Sequence, residues 1–374
     1  MAPNLPTRRI FIQGQPAVRE FAEAVRQSDP PPAEPDKIPH GESGGLPLAQ
    51  DRSSLTVSIR RRAMACEWEV QIAADRDDNS MELIFAALDL VEALEAQMTV
   101  YRAASEVMRI NERAVAGPVT VESRLFNVFQ GVARICRETG RALDITSGPL
   151  SAAWGFSRRQ GRVPSEAEIS AALALVDIDQ ILLDEANETI FFRRPGVSVN
   201  LNSVGKGYAL DRMAELLADG NVDDYLLHGG KSSVLARGDQ PGRAGHGWTI
   251  GVRHPLRPAE RLAEFCLRDQ CLSTSGSGTQ FFQRRGKRYG HILDPRTGRP
   301  AEGKFSATVI APTATEAEAL STAFYVMDPT EVAAYCAARP ELGALLVCPA
   351  EREGDVQLIS FGLDDEQWQQ LVDH

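Results

Sequence analysis

One short segment carries three oxygen-bearing side chains at helical spacing. Thr313 and Glu316 form a capping box, which predicts a helix that begins after Thr313. On that helix Glu318, Ser321 and Thr322 occupy positions i, i+3 and i+4, so they share one face. A carboxylate and two hydroxyls are hard oxygen ligands that suit Mg²⁺. The alternative is a polar face exposed to solvent.

A second segment places a glycine–lysine turn ahead of a predicted helix. Val197 and Val199 predict a strand that runs into the segment Asn200–Tyr208. Free backbone N–H groups and Lys206 at a helix N-terminus make a natural anion site. It is not a Walker A loop, because Gly207 stands where that loop needs Ser or Thr. The alternative is a helix cap with a surface lysine.

A third segment places a single histidine beside a tight turn. Tyr289, Ile292 and Leu293 predict a short strand, and Asp294–Gly298 has the composition of a stiff polar turn. His291 is therefore expected at a strand end. These residues alone leave a structural histidine on a hairpin as the alternative to a functional one.

Composition limits the classes of protein to which the chain can belong. Its 374 residues are 43% hydrophobic and 24% charged, ordinary values for a globular protein of one large or two medium domains. The net charge of −11 argues against nucleic-acid binding but leaves room for a phosphate-bearing small molecule. No apolar run is long enough to predict a transmembrane helix.

The cysteines and the N-terminus bear on the compartment. Six cysteines are scattered without a CxxC pair, which favours reduced thiols in a cytoplasmic protein. Thr7–Ile12 partly matches a twin-arginine signal, but polar residues follow where an apolar stretch should be. We therefore expect no export signal and a cytoplasmic location.

Along the chain, residues 1–54 are expected to form a flexible tail with a possible short helix at 17–26, and residues 55–374 one compact domain. Helices and strands mix without a βαβ rhythm, which predicts an α+β fold. Periodicity predicts strands at 66–72, 224–228, 233–236, 247–253, 307–311 and 343–348, helices at 80–98, 122–138 and 208–218, and a hairpin within 181–200.

Taken in order, these segments resemble the ApbE family, the FAD:protein FMN transferases, from about Arg62 to Asp328. The resemblance implies a T-fold-like α+β domain with mixed sheets and flanking helices. It rests on Met64–Cys66, Met98–Arg102, Gly140–Leu150 with Trp154–Phe156, Val204–Asp211, Ser275–Gly276, His291 with Asp294–Gly298, and Ala311–Ala314.

The resemblance implies an enzyme that binds FAD and Mg²⁺, transfers FMN to a Thr or Ser hydroxyl of a target flavoprotein, and releases AMP. It assigns His291 as the base that activates the acceptor hydroxyl. The implied metal ligands are Ser203, Glu318, Ser321 and Thr322, and the implied flavin-nucleotide positions are Met64, Tyr101, Ala142, Leu143, Asp144, Asn200, Lys206 and Ile292.

Four positions depart from the family pattern. Asn200 and Glu318 each stand where the family usually has Asp, and Asn202–Ser203 replace a double glycine. Octahedral Mg²⁺ geometry is demanding, so these changes bear on the metal more than on FAD. Two alternatives to transfer therefore stay open, an FAD-binding protein without transferase activity and an FAD pyrophosphatase.

Overall fold

The computed structural model describes residues 10–12, 55–157, 160–278, 280–352 and 354–371 of the chain. In these ranges no helix has the length and apolarity needed to cross a membrane. The possible helix at 17–26 and most of the predicted tail lie outside the described residues, so the division at residue 55 stays a prediction.

The described helices are α1 (Asp78–Met98), α2 (Glu106–Arg113), α3 (Ser123–Glu138), α4 (Gly148–Ala153), α5 (Glu166–Leu173), α6 (Gly205–Asp219), α7 (Ala314–Val326) and α8 (Pro329–Ala337). The strands are β1 (Ile10–Ile12), β2 (Thr56–Ala63), β3 (Cys66–Ala73), β4 (Val119–Thr120), β5 (Ile181–Asp184), β6 (Thr189–Phe192), β7 (Tyr225–Gly229), β8 (Ser233–Arg237), β9 (Trp248–Arg253), β10 (Arg261–Leu267), β11 (Gln270–Gly276), β12 (Phe281–Arg284), β13 (Lys287–Gly290), β14 (Leu293–Asp294), β15 (Arg299–Pro300), β16 (Ser306–Ala311), β17 (Gly343–Pro349), β18 (Val356–Phe361) and β19 (Trp368–Gln370).

A nine-stranded sheet organises the domain, in the order β1-β2-β3-β7-β8-β11-β16-β17-β18. Strand β1 is parallel to β2, and every other neighbouring pair is antiparallel. Smaller sheets are formed by β19-β10-β9, β4-β6-β5, β12-β13 and β14-β15. The predicted α+β class is confirmed.

The large sheet is covered on both faces. Along β8, Leu235 belongs to the core shared with the helices, whereas Val234 and Ala236 pack with Trp248 and Phe265 of the small sheet. Successive side chains of a strand point to opposite faces, so a strand that is buried on both faces has a continuous apolar sequence. This arrangement presents one face of the sheet to α6 and α7, which carry the candidate site residues.

Most predicted elements are confirmed with small shifts of their ends, namely strands β3, β7, β8, β9, β16 and β17, helices α1 and α3, and the β5–β6 hairpin. The strand predicted through Val197 and Val199 is wrong. The Asn111 amide pairs with both the N–H and the carbonyl of Val199, at 2.7 and 2.9 Å, in place of a neighbouring strand. Helix α6 begins at Gly205, earlier than predicted, so Lys206 lies within its first turn.

Candidate active site

Helices α6 and α7 are in backbone contact because Gly207 has no side chain. A Cβ atom at Gly207 would lie 2.2 Å from the carbonyl oxygen of Ala314. One turn along α6, the Asp211 carboxylate accepts hydrogen bonds from the backbone N–H groups of Ala314 and Thr315, at 2.8 and 2.9 Å. The close backbone contact at Gly207 and the hydrogen bonds to Asp211 together fix the N-terminus of α7 against α6.

Lys206 and Glu318 meet at this junction. The Lys206 ammonium forms an ion pair with one carboxylate oxygen of Glu318, and the Gly207 N–H donates to the other at 2.6 Å. Glu318 is 3% exposed, and Lys206 is partly buried. The two alternatives, a surface lysine on α6 and a polar face of α7 exposed to solvent, are therefore both wrong. The two segments form one charged centre whose buried carboxylate is fully paired.

Three hydroxyls lie beside this ion pair. Ser275 Oγ on β11 is 2.9 Å from Ser321 Oγ and 3.1 Å from Thr322 Oγ1. Ser321 and Thr322 also donate to the backbone carbonyl of Glu318, at 3.0 and 3.2 Å. The shared face predicted for the α7 residues is confirmed. Ser275 was not predicted as a site residue, although the segment 273–278 is rich in serine.

The donor set fits a hard cation in its chemistry. It contains the carboxylate of Glu318 and the hydroxyls of Ser321 and Thr322, and Mg²⁺ completes its shell with water and phosphate oxygens. In the described ranges no group of three or more His, Cys, Asp and Glu residues is suited to a metal. Ser203 lies in the turn before α6, and among the described residues its hydroxyl has no hydrogen-bond partner. The structure thus brings the Ser321 and Thr322 hydroxyls together at Ser275, and both also contact the backbone carbonyl of Glu318.

His291 lies between β13 and β14 and is partly buried. Its Nδ1 is 3.0 Å from the backbone carbonyl of Gln280, and a carbonyl only accepts, so Nδ1 carries the hydrogen. Burial, reinforced by the charge of Lys206, lowers the pKa of His291 below its usual value, although the hydrogen bond to Gln280 opposes this. The ring is therefore neutral near pH 7, with Nε2 unprotonated and able to take a proton.

The turn after His291 is anchored as the sequence predicts. The carbonyl of Asp294 accepts the N–H of Gly298 at 2.8 Å, and Gly298 has a φ of 71°, which favours glycine. The Trp154 indole N–H donates to the Gly298 carbonyl at 2.8 Å. The turn is thereby tied to the segment after α4, which holds His291 on a rigid support.

The Met64–Ala65 turn between β2 and β3 carries backbone strain. Both residues have positive φ, 49° and 57°, in a two-residue turn that favours Asn and Gly. Each such residue costs about 1–2 kcal/mol. The Met64 N–H donates to the Glu95 carboxylate of α1 at 2.7 Å. Strain of this kind is typical of ligand sites, and Met64 is a predicted flavin contact.

Tyr101 is the most exposed large hydrophobic residue in the part of the chain that the structure describes. It follows the C-terminus of α1, and 71% of its surface is accessible. Large aromatic rings usually bury most of their surface. A ring left open in this way is available to stack against a ligand.

The predicted flavin positions Ala142, Leu143 and Asp144 are buried. The Asp144 carboxylate accepts hydrogen bonds from Thr146, N–H at 2.8 Å and hydroxyl at 2.6 Å, and from the Ile178 N–H at 3.0 Å. Burial raises the pKa of Asp144 although these bonds oppose it. Its carboxylate ties the loop together, so a flavin contact here would come from other atoms of residues 142–144.

Asn200 joins two of the predicted segments. Its N–H donates to the Ile145 carbonyl at 2.8 Å, which places the loop after residue 142 beside the turn that leads into α6. Its side-chain oxygen accepts the Asn202 N–H at 3.0 Å. Ile292 is buried beside His291, and its carbonyl accepts the Ala301 N–H at 2.9 Å.

Cys66 is a site neighbour that was not among the predicted site residues. Burial raises the pKa of its thiol, and the charges of Lys206, Glu318 and Glu95 act on it. A thiol with a raised pKa is a poor nucleophile near neutral pH. Cys66 therefore lies near the charged centre.

Comparisons with known proteins identify relatives of this chain. The model of the ApbE family matches residues 64–346. The FAD:protein FMN transferase of Klebsiella pneumoniae is 31% identical over 261 residues, which are 69% of this chain and 79% of that protein. The Haemophilus influenzae protein of the same name is 32% identical over 292 residues, 75% of this chain and 83% of that protein.

A solved structure extends the likeness to the fold. The ApbE protein of Thermotoga maritima superposes with a TM-score of 0.73 at 27% identity, over 82% of this chain and 97% of that chain. The residues matched by the family model include α6, α7 and the segment around His291. This chain belongs to the ApbE family.

Proposed function

We propose that this protein transfers FMN from FAD to a Thr or Ser hydroxyl of an acceptor flavoprotein and releases AMP. The observation that carries the proposal is the meeting of Lys206, Glu318 and the hydroxyls of Ser321 and Thr322 at the α6–α7 junction. Phosphoryl transfer depends mainly on positioning and on neutralising charge, which is what such a centre supplies. Relatives that carry the name FAD:protein FMN transferase support it.

The reaction breaks the pyrophosphate bond between the FMN phosphorus and the oxygen that leaves with AMP. The acceptor hydroxyl oxygen forms the new bond to that phosphorus. Its proton passes to Nε2 of His291, which is free because Nδ1–H is engaged with the Gln280 carbonyl. The lowered pKa of His291 keeps the imidazole neutral and ready for this step.

Lys206 would hold the pyrophosphate, because an ammonium at a helix N-terminus favours a phosphate anion. The N–H groups of Gly205 and Gly207 are already bonded, to the Leu201 carbonyl and the Glu318 carboxylate, so the free N–H groups expected from the sequence are not found at these two residues. Glu318, Ser321 and Thr322, with Ser203, would hold Mg²⁺, which supplies charge neutralisation at the phosphate oxygens when bound. Because Lys206 now pairs with Glu318, a cation at Glu318 would free the ammonium for phosphate.

The flavin nucleotide would lie along Met64, Tyr101, Asn200 and Ile292. The exposure of Tyr101 and the strained turn at Met64 support this side of the site. Residues 142–144 would contribute atoms other than the Asp144 carboxylate. The cytoplasmic location also stays a prediction, to be tested by cell fractionation.

The test incubates the full chain with FAD and Mg²⁺, with and without a Thr-containing acceptor domain of a flavoprotein. AMP release and flavin fluorescence on the denatured acceptor are measured together. Transfer gives AMP and a fluorescent acceptor band. AMP without acceptor or band would instead identify an FAD pyrophosphatase, and tight FAD binding without AMP would identify a flavin-binding protein.

A further inference from the structure

We propose that the β12–β13 hairpin is the docking surface for the acceptor protein and that it binds an acidic face of that partner. The inference rests on the proposed function, because it concerns the protein that brings the hydroxyl to His291. It is carried by the charge of the hairpin, by its position and by the backbone of its turn.

The hairpin concentrates positive charge in an acidic protein. Four of the five residues from Arg284 to Arg288 are basic, and no Asp or Glu occurs between residues 270 and 293, whereas the whole chain has a net charge of −11. All five residues are exposed. Lys287 pairs with Glu302 at 2.8 Å, but within the described ranges no carboxylate lies within 4 Å of Arg284 or Arg285. Such a patch attracts an acidic partner.

His291 lies where the two strands of the hairpin come together. Its N–H and its Nδ1 both contact the Gln280 carbonyl, so the residue proposed as the general base joins the two ends of the hairpin. The turn, at Arg285, lies six residues before His291, or roughly 20 Å along an extended strand. A protein interface covers roughly 800 Å² of each partner, a patch about 30 Å across. A partner whose hydroxyl reaches His291 therefore covers the hairpin or meets it at the rim.

The turn conformation favours a residue other than the arginine found there. Arg285 has a φ of 52° and Gly286 a φ of 79°, which is the pattern of a type I′ turn. Asn or Gly is favoured at the first of these positions, and other residues cost about 1–2 kcal/mol. A non-glycine residue in this strained conformation at an exposed turn is typical of a functional position.

The hairpin presents its charges on a fixed support. The rings of Phe282 and Tyr289, which face each other across the strands, stack with centroids 5.1 Å apart. Phe282 also contacts Phe156, and Tyr289 contacts Trp154, at 5.5 and 5.6 Å. The hairpin is thereby anchored to the segment that holds the turn after His291. Preorganised charges of this kind direct the encounter and the orientation of a partner.

The test measures binding of two fluorescent peptides by anisotropy, a Glu-rich peptide with one Thr and its counterpart with Gln in place of Glu. The proteins are the full chain, the reversal Arg284→Glu/Arg285→Glu, and Arg285→Asn. Arg285→Asn removes one charge while it relieves the turn, so loss of binding cannot be ascribed to misfolding. The matched control is Arg243→Glu/Arg268→Glu, with Arg243 in the loop before β9 and Arg268 in the connection between β10 and β11.

At about 20 mM salt, where screening is weakest, we expect the reversal to weaken binding of the acidic peptide at least about tenfold and Arg285→Asn about threefold. The control variant is expected to stay within about twofold, and the Gln peptide to bind none of the proteins well. Glu302→Gln, which frees Lys287, is expected to tighten binding. Added salt should remove these differences.

Equal binding of the acidic peptide by the full chain and the reversal would overturn the inference. Hairpin-dependent binding to vesicles with about 30% phosphatidylserine, without binding of the peptide, would also overturn it in favour of a membrane surface. If FMN is transferred and the reversal leaves the KM for the acceptor unchanged, the docking surface is overturned and the proposed function stands. Hairpin-dependent peptide binding without FMN transfer to any acceptor would instead overturn the proposed function.

Discussion

The α6–α7 junction differs in packing from the open edge of the site, which is formed by Met64 and Tyr101. At the junction Glu318 is buried, both its oxygens are occupied, and Gly207 allows the helix backbones to touch. At the edge Tyr101 is 71% exposed and the Met64 turn is strained. The charged centre is thus buried and internally paired, whereas the surfaces proposed to contact the flavin are exposed or strained.

This contrast predicts different effects for substitutions in the two regions. Substitutions at the fixed centre are expected to affect the rate of transfer or the fold, because preorganised charges act on the reaction itself. Substitutions at the open edge are expected to affect FAD affinity.

The largest effect is expected from His291→Ala, which removes the proposed base. General-base catalysis contributes about 10²–10⁴-fold, so the rate of transfer should fall by that factor while FAD stays bound. Rapid-quench measurement of acceptor flavinylation tests the rate, and fluorescence titration tests binding. The exposed His246→Ala is the matched control. Transfer at the normal rate in His291→Ala would remove His291 from the reaction.

The same residue predicts the pH dependence. The base works only when its ring is neutral, so activity is present above the pKa of His291 and is lost as the pH falls through it. Because burial lowers this pKa, the loss should occur below about 6.5, the ordinary value for histidine. A kcat/KM profile for acceptor tests this. A decline that begins above pH 7 would contradict the predicted direction.

Glu318→Ala is expected to slow transfer at least about 100-fold, the scale of losing one electrostatic stabiliser. It should also weaken the dependence of the rate on Mg²⁺ concentration. Glu316→Ala is the matched control, since Glu316 lies on the same helix but pairs with Arg339 at 2.8 Å. A normal Mg²⁺ titration in Glu318→Ala would exclude Glu318 from the cation site.

Gly207→Ala is expected to destabilise the fold by about 1–3 kcal/mol, because its methyl group would be forced against the Ala314 carbonyl. Denaturant unfolding measures the change in the free energy of unfolding. Gly131→Ala in α3 is the control, because no atom lies within 4 Å of its added Cβ, and we expect it to be neutral or stabilising. Equal stability of Gly207→Ala and the parent would contradict the close contact of the two helices.

Tyr101→Ala is expected to have the smallest effect and to act on binding. Loss of a stacking ring costs about 0.5–1.5 kcal/mol, so the Kd for FAD should rise roughly 2–12-fold with little change in kcat. Tyr101→Phe keeps the ring and should keep the affinity. An unchanged Kd in Tyr101→Ala would show that the ring does not contact the flavin.

The sequence predicted local elements better than long-range contacts. Helical spacing placed Glu318, Ser321 and Thr322 on one face, which depends only on the geometry of one helix. It could not pair Glu318 with Lys206, which lies more than a hundred residues away and meets it only because Gly207 allows α6 and α7 to touch. The resemblance to the ApbE family assigned Lys206 to the flavin nucleotide and Glu318 to the metal, and did not pair them with each other.

Two local errors have physical causes. The apolar pattern at Val199 predicted a strand, but the amide of Asn111 takes its hydrogen bonds. Ser275 was missed because β11 is rich in small polar residues and lacks the alternation that marks a half-buried strand. In both cases the partner is distant in sequence.

The most direct test of the account is a crystal structure of the protein with FAD and Mn²⁺. We predict the pyrophosphate within hydrogen-bonding distance of Lys206, an anomalous Mn²⁺ peak at Glu318, Ser321 and Thr322, and the isoalloxazine against Tyr101, with the backbone of the junction unmoved. A pyrophosphate bound away from Lys206, or a Mn²⁺ peak away from Glu318, would contradict the assignment of the α6–α7 junction as the reaction centre.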